Sequence, residues 1–241
     1  AATLGFAWWY RAGNARARYR PDWAYSGEIE VVVWSIPLMT IMLLGGVAWI
    51  GSHDLDPASR LPSKDPPLKV QVVSLDWKWL FIYPERRVAT VNELVLPAGV
   101  PVHFTLTSAS VMNAFFIPSL GSMIYAMNGM AAELNLQADQ PGDMLGLSSH
   151  FSGDGFADMD FTVRVVATAD FDSWLERTGA GGPTLDLPAY RELSRQSIAA
   201  APLTYRAVDP ELFHRIVTQE LPPAPGPTVE TNPGAARRAG N

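Results

Sequence analysis

The hydrophobic pattern near the N-terminus is typical of a membrane segment. The run "VVVWSIPLMTIMLLGGVAWIG", residues 31–51, has 21 residues and no charged side chain. As a helix with a rise of about 1.5 Å per residue it would extend about 31 Å, enough to cross the hydrocarbon core of a bilayer. Trp34 and Trp49 lie near its two ends, as interfacial aromatic residues do. The pattern predicts a transmembrane helix; a buried helix in a large soluble core is the alternative.

A second apolar stretch precedes this helix. Residues 1–10, "AATLGFAWWY", would reach only about 15 Å as a helix, so we interpret them as the last turns of a first, truncated spanning helix. The connecting loop, residues 11–28, carries four arginines before its first acidic residue, Asp22. The positive-inside rule places such a loop in the cytoplasm. Residues 1–51 are therefore predicted to form a transmembrane hairpin, with the rest of the chain in the periplasm of a bacterial inner membrane.

The pattern changes to short strands after a Pro-rich linker at residues 52–67. The strands are rich in β-branched and aromatic residues and are separated by Gly and Pro. Because no turn signal separates the first two, residues 68–83 are also compatible with one long bent strand. Short strands at this spacing predict an antiparallel Greek-key sandwich over residues 68–168. The predicted strands are 68–75, 77–83, 89–96, 102–108, 131–138 and 161–168.

The composition changes again beyond residue 168. Three amphipathic stretches, residues 169–179, 188–199 and 209–220, predict a helical C-terminal extension over residues 169–220. Residues 221–241 are rich in Pro and Gly, which predicts a disordered tail.

Composition and charge exclude several classes of function. The net charge is −6, which argues against nucleic acid as a partner. The chain has no Cys, so disulfides, thiolate metal sites and thiol nucleophiles are excluded.

Four motifs resemble a known family. They are "IEVVVWSIP" (29–37), "DWKWLFIYPE" (76–85) with "VMNAFFIPSLGSMIYAMNGM" (111–130), and "FSGDGFADM" (151–159). Together with the helix pair and the Arg-rich loop they resemble subunit II of the haem-copper terminal oxidases, in the branch that oxidises quinol. The resemblance covers nearly the whole chain. It implies a membrane-anchored all-β protein, in which a helical hairpin precedes a cupredoxin-like Greek-key sandwich.

The resemblance also identifies positions where a metal centre is lost. In the branch that oxidises cytochrome c, this domain holds a binuclear copper centre with thiolate, imidazole, carboxylate and thioether ligands, which suit copper. Only the methionine position keeps its residue type here, and the chain is therefore expected to hold no metal. The corresponding positions in this sequence are Asn113, Ser148, His150, Ser152, Phe156 and Met159.

The resemblance implies a copper-free, non-catalytic subunit of a proton-pumping quinol oxidase, which reduces O₂ to water with electrons from ubiquinol. It places the haems, one copper ion and the quinol pocket in the partner subunit I, with further small membrane subunits and the lipid bilayer as partners. One alternative is a membrane-tethered electron-transfer protein that docks a cytochrome c. A tethered periplasmic binding module acting alone is the other.

Four residues are candidates for contact or proton roles. By resemblance, Trp77 occupies the position that lies between copper and haem in the copper-containing branch. Without copper, Trp77 and Trp79 are predicted to anchor the domain on subunit I, with Asp76 beside them; plain sandwich core is the alternative. Glu30 is either a helix-terminal carboxylate that favours the helix dipole or a proton-entry group.

Two further metal hypotheses remain open. His103, His150 and Met159 would form a residual mononuclear site only if the fold brings them together. A run of carboxylates with no Lys or Arg between them is a calcium site, a docking face for a basic cytochrome, or a solvated edge. Its members are Asp139, Asp143, Asp154, Asp158 and Asp160.

Overall fold

The computed structural model describes residues 2–18, 20–63 and 66–226. The chain divides into two compact units, one up to Asp54 and one from Leu55 onward. Each unit is described by itself.

The N-terminal unit contains helices α1 (Ala2–Trp9) and α2 (Gly27–Asp54). Helix α2 has 28 residues, about 42 Å at 1.5 Å per residue, and none of its residues is buried. An apolar helix exposed on all sides suits lipid. Within the described residues it is the one helix long and apolar enough to cross a membrane, as predicted for residues 31–51. Helix α1 has eight residues, and the two-helix hairpin stays a prediction.

The second unit is built mainly from strands, which are preceded by the rest of the linker. The strands that form the sandwich are β1 (Leu68–Leu75), β2 (Lys78–Tyr83), β3 (Val88–Val91), β4 (Glu93–Pro97), β5 (Pro101–Ser108), β6 (Asn113–Phe116), β7 (Ile124–Ala126), β8 (Ala132–Gln137), β9 (Gly142–Ser148) and β10 (Asp160–Val166). The C-terminal extension adds α3 (Thr168–Ala180), β11 (Thr184–Leu185), α4 (Leu187–Leu193), β12 (Leu203–Tyr205), β13 (Ala207–Val208) and α5 (Leu212–Val217).

The strands form a two-sheet sandwich. One sheet has the order β12-β3-β2-β1-β5-β8 and the other β4-β10-β9-β6-β7. The sandwich is as predicted, but it is not purely antiparallel: β1 runs parallel to β5, and β4 parallel to β10. The chain between each parallel pair crosses to the other sheet and back, which supplies the long connection that parallel neighbours require.

The hypothesis of one long bent strand over residues 68–83 is wrong. Strands β1 and β2 form an antiparallel hairpin, and Leu75 pairs with Lys78 across a two-residue turn. In that turn Trp77 has a φ of +63°. A tryptophan in the left-handed region is not a sequence signal for a turn, so this hairpin depends on tertiary contacts of the indole.

The predicted strand 89–96 is in fact two strands in different sheets. It breaks at Asn92, which has a φ of +55°, a conformation that asparagine tolerates better than most residues. The Asn92 Oδ1 accepts the backbone N–H of Trp79 at 2.8 Å, and its Nδ2 donates to the Ala200 carbonyl at 2.8 Å. The side chain thus replaces the strand pairing that the break removes.

The core lies on both sides of the six-stranded sheet. Between the sheets, Trp79, Phe81, Phe104, Phe115 and Phe161 pack together, and the rings of Phe115 and Phe161 stack at 5.3 Å. On the other face, a second buried cluster joins strands β1 and β2 to the C-terminal extension. Strands buried on both faces are apolar at nearly every position, which explains the sequence "WLFIY" in β2.

The C-terminal extension is mixed rather than purely helical. Helix α3 matches its prediction, but α4 and α5 are shorter than predicted, and β12 joins the edge of the six-stranded sheet beside β3. Residues 221–226 of the predicted disordered tail are packed on the domain instead, with Ala224 only 8% exposed. The remaining tail, 227–241, lies outside the described residues.

Candidate functional site

Two of the positions that the resemblance assigns to lost copper ligands form a buried polar cluster. Asn113 begins β6 and Ser148 ends the adjacent strand β9. The Ser148 hydroxyl donates to Asn113 Oδ1 at 3.1 Å, and Asn113 Nδ2 donates to the hydroxyl oxygen of Ser74 at 2.7 Å. All three side chains are buried. Sequence reasoning missed Ser74, because nothing local marks a serine in an apolar strand as a partner of Asn113.

Two further positions lie in the loop that follows β9. The Ser148 N–H donates to the Met159 carbonyl at 3.1 Å, which closes the loop. Inside it, the Ser152 hydroxyl lies 3.9 Å from the sulfur of Met159, and both side chains are buried. The remaining two, His150 and Phe156, are only half-buried. Their rings contact the exposed rings of Tyr125 and Phe151, at 5.9 and 5.6 Å respectively.

The buried indole of Trp77 packs against the inner side of this loop. Its indole N–H donates to the Ser152 carbonyl at 3.1 Å, and only 5% of the residue is exposed. Gly155 lies flat against the ring: a Cβ there would be 2.4 Å from the indole Cδ2. In the sequence, Gly155 is only a glycine before Phe156 in "GDGFADM". It indicates a close contact only once the position of the Trp77 ring is known.

Trp79 lies in the sandwich core, which was the alternative to an anchor on subunit I. It is fully buried, and its ring contacts Phe115 at 5.4 Å and Phe161 at 5.8 Å. A side chain with no exposed surface offers no contact to another subunit. Asp76 is buried too, at 3% exposure, and its carboxylate accepts the N–H of Gly226 at 2.9 Å.

Lys78 faces the C-terminal extension. Its Nζ donates to the Arg195 carbonyl and to the Ser197 hydroxyl oxygen, each at 2.6 Å. Burial lowers the pKa of the Lys78 ammonium below its ordinary value, and the nearby Asp76 and Glu192 carboxylates oppose this only in part. The ammonium therefore joins β2 to the segment after α4.

The donor set does not fit a binuclear copper centre. The positions that would supply thiolates hold hydroxyls, and Asn113 already bonds Ser74 and Ser148 through both ends of its amide. Neutral hydroxyl and amide groups are poor ligands for copper.

The other metal hypotheses find no support in the geometry. His103 is held by Asn135 Oδ1 at 2.9 Å in the six-stranded sheet, whereas His150 contacts Tyr125 beside the other sheet. Within residues 2–18, 20–63 and 66–226, no group of three or more His, Cys, Asp or Glu side chains could hold a metal ion. The five aspartates of the acidic run are exposed, as expected for a solvated edge.

Glu30 lies in the first turn of α2 together with Glu28. Its backbone N–H donates to the Ser26 carbonyl at 3.0 Å. A carboxylate there favours the helix dipole, and the proton-entry role remains a prediction. A cavity of about 270 Å³ beside Tyr83 and Phe171 is lined by none of the predicted site residues.

Comparison with known proteins agrees with this fold. The model of the family "Cytochrome C oxidase subunit II, periplasmic domain" matches residues 68–166, and "COX Aromatic Rich Motif" matches residues 180–221. The second unit therefore contains a subunit II periplasmic domain, in which an amide and hydroxyls stand at positions that the resemblance assigns to copper ligands.

Curated relatives make the family specific. Cytochrome bo(3) ubiquinol oxidase subunit 2 of Pseudomonas aeruginosa is 46% identical over 217 residues, which covers 90% of this chain and 66% of the relative. Ubiquinol oxidase subunit 2 of Acetobacter aceti is 46% identical over 220 residues, which covers 90% of this chain and 71% of the relative. The chain belongs to the quinol oxidase subunit II family.

The chain spans about two thirds of the length of these relatives. Among solved structures, the periplasmic domain of cytochrome oxidase subunit II (CoxB) of Bradyrhizobium japonicum is 27% identical. It covers 49% of this chain and 96% of that domain, with a TM-score of 0.46.

Proposed function

We propose that this chain is a copper-free, non-catalytic subunit of a proton-pumping ubiquinol oxidase. The observation that carries the proposal is the buried Ser74–Asn113–Ser148 cluster, whose polar atoms bond one another at 2.7 and 3.1 Å. A relay of electrons through this domain needs a redox group there, and hydroxyl and amide groups supply none. The 46% identity to two ubiquinol oxidase subunits supports the same assignment.

In this proposal the chemistry lies in the partner subunits. Haems, one copper ion and the quinol pocket belong to subunit I, and further small membrane subunits complete the oxidase. Quinol dissolves in the bilayer and reaches the enzyme there, so the periplasmic domain serves assembly. The chain crosses the inner membrane twice, with α2 as the second span and residues 11–28 in the cytoplasm.

We propose that subunit I contacts the exposed surface of the loop after β9, the loop that Trp77 bonds from the domain side. Three apolar side chains near the loop after β9 are exposed: Met123 by 45%, Tyr125 by 41% and Phe151 by 73%. Aromatic residues and methionine are enriched at protein interfaces. Trp77 acts beneath this surface by fixing the loop through its bond to Ser152.

Purification from membranes tests the assignment. A tagged chain is expected to carry haem bands in the visible spectrum of the purified complex and no near-infrared copper band. A chain that purifies without haem would contradict the proposal and favour the tethered binding module. Copper bound in stoichiometric amount to the domain would favour the electron-transfer alternative.

A pair of variants tests the interface. Phe151→Ser should lower the haem recovered per chain, because it removes the most exposed aromatic side chain of the proposed contact. Leu203→Ser is the control: Leu203 is also exposed, by 42%, but lies on β12 of the other sheet. Equal recovery from both variants would place the contact elsewhere.

The proton-entry role of Glu30 completes the proposal. Glu30 and Glu28 are both exposed carboxylates in the first turn of α2, and ionisable groups at membrane depth often mark proton paths. Glu30 directly precedes the uncharged run of residues 31–51, whereas Glu28 lies two residues earlier. We propose that Glu30 delivers protons toward the O₂ site of subunit I.

A further inference from the structure

The segment after α5 is held on the domain by a specific set of hydrogen bonds. We call residues 222–226, "PPAPG", the C-terminal strap. The Ala224 N–H donates to the Ala109 carbonyl at 2.8 Å, and the Gly226 N–H donates to Asp76 Oδ2 at 2.9 Å. The Gln196 side-chain amide donates to the Gly226 carbonyl. The strap therefore contacts three separate parts of the second unit.

The sequence of the strap is suited to this docking. Three of its five residues are proline, which lack an N–H and have a fixed φ. The strap thus has only two backbone donors, those of Ala224 and Gly226, and both are bonded to the domain. Gly226 has a φ of +70°, which glycine adopts without a steric cost. Little conformational freedom remains to be lost when such a segment docks.

Asp76 is the anchor of the strap on the domain. Its side chain is 3% exposed, and a buried carboxylate is strongly destabilising without hydrogen-bond donors. The Gly226 N–H is such a donor and lies 150 residues away in sequence. Asp76 immediately precedes Trp77, so the anchor lies in the turn that supports the loop of lost ligand positions.

The strap joins two segments that frame the Asn113 cluster. One is the β1–β2 turn at Asp76. The other is the segment that follows β5, where the Ala109 N–H donates to the Ser74 carbonyl at 2.9 Å. The same segment contributes the Val111 carbonyl, which accepts from Asn113 Nδ2 at 3.3 Å. The strap therefore bonds to both sides of the former copper region.

From these contacts we infer that the C-terminal strap is a latch, anchored by the positioning residue Asp76, that holds the Trp77 turn and residues 109–111 in the geometry presented to subunit I. The role of the latch in assembly rests on the proposed function. The latch itself is a property of this chain and can be tested separately.

Two truncations of the full chain form a matched pair. One ends at Leu221 and removes the strap, and the other ends at Gly226 and keeps it. Hydrogen exchange is measured at the backbone amides of Ala109 and Ser110, which follow β5. The Ala109 N–H donates to the Ser74 carbonyl and the Ser110 N–H to the Ser108 hydroxyl oxygen. The truncation at Leu221 should speed this exchange about tenfold, the scale set by losing one hydrogen bond to a charged group. The truncation at Gly226 should leave exchange as in the intact chain.

Point variants test the anchor in the same assay. Asp76→Ala removes the acceptor and should reproduce the truncation at Leu221. Asp76→Asn keeps an oxygen at the same place and should give a smaller effect. If Asp76→Ala does not accumulate in membranes, the truncation pair decides. Equal exchange in the two truncations would overturn the latch.

Haem recovery separates the latch from the proposed function. If the intact chain purifies with haem and the chain ending at Leu221 recovers several times less, the latch serves assembly. If recovery is equal while exchange differs, the latch has no role in assembly and that part of the inference fails. An intact chain without haem would instead contradict the proposed function, and the exchange comparison would still decide whether the latch exists.

Discussion

The contact between Gly155 and Trp77 allows a prediction with a defined magnitude. Gly155 has φ −89° and ψ 8°, which alanine can adopt, so Gly155→Ala introduces no backbone strain. The new Cβ would lie 2.4 Å from the indole Cδ2 and 2.5 Å from Cγ, whereas carbon atoms pack at about 3.5–4.0 Å. The ring must therefore move by about 1 Å, which breaks its bond to Ser152.

Three effects set the free-energy change of Gly155→Ala. Overpacking costs about 1–3 kcal/mol and the lost hydrogen bond about 1 kcal/mol. Replacing glycine stabilises by about 0.4–1 kcal/mol through the unfolded chain. Gly155→Ala should thus destabilise the domain by about 2 kcal/mol, or lower Tm by about 4–8 °C for a unit of this size.

Thermal unfolding of the detergent-solubilised chain, followed by circular dichroism, measures this effect. Gly179→Ala is the control, because Gly179 lies in α3 with nothing closer to its added Cβ than Val88 at 3.9 Å. It should be neutral or raise Tm, since alanine is favoured in helices. In a Trp77→Ala background the cost of Gly155→Ala should vanish. The same loss of stability with and without Trp77 would refute the proposed clash.

Three other substitutions test separate parts of the structure. Asn113→Leu should destabilise the domain by about 2–4 kcal/mol, because it leaves the buried Ser74 and Ser148 hydroxyls without their partner; chemical denaturation measures this, and an unchanged midpoint would contradict the cluster. Lys78→Met should alter the pH dependence of stability. Because the pKa of Lys78 is lowered in the folded chain, the unfolded chain binds more protons between that lowered pKa and the ordinary lysine value. The intact chain should therefore gain stability relative to the variant as the pH rises through this range. A stability difference that does not change with pH, in unfolding measured over an alkaline series, would exclude that shift. Glu30→Ala should slow O₂ consumption by the assembled oxidase, with Glu28→Ala as the matched control; unchanged turnover in the Glu30 variant would remove its proton role.

Local sequence patterns predicted the helices and strands that depend mainly on residues close to one another in sequence. The uncharged run at residues 31–51 lies within α2, and the predicted strands 68–75, 102–108, 131–138 and 161–168 agree with β1, β5, β8 and β10 to within two residues. The resemblance assigned Asn113 and Ser148 to positions of copper ligands in the branch that oxidises cytochrome c. The structure brings these two side chains together.

The errors occur where distant contacts decide the outcome. The Asp76–Trp77 turn has no glycine or proline to mark it, and its positive φ is held by Gly155 and Ser152, far along the chain. Strands β6, β7 and β9 were missed because they are short or contain glycine and methionine, and pairing with neighbours stabilises them.

The largest difference concerns the face of the sheet that the extension covers. The pattern of residues 169–220 predicted helices, but it could not show that this segment buries Leu80 and Ile82 or adds β12 to the sheet. Likewise, Trp77 and Trp79 are both buried in the sandwich core, yet only Trp77 also donates a hydrogen bond to the loop after β9. Hydrophobic periodicity records which residues avoid water, whereas the surface that covers each of them is chosen only when segments far apart in sequence pack together.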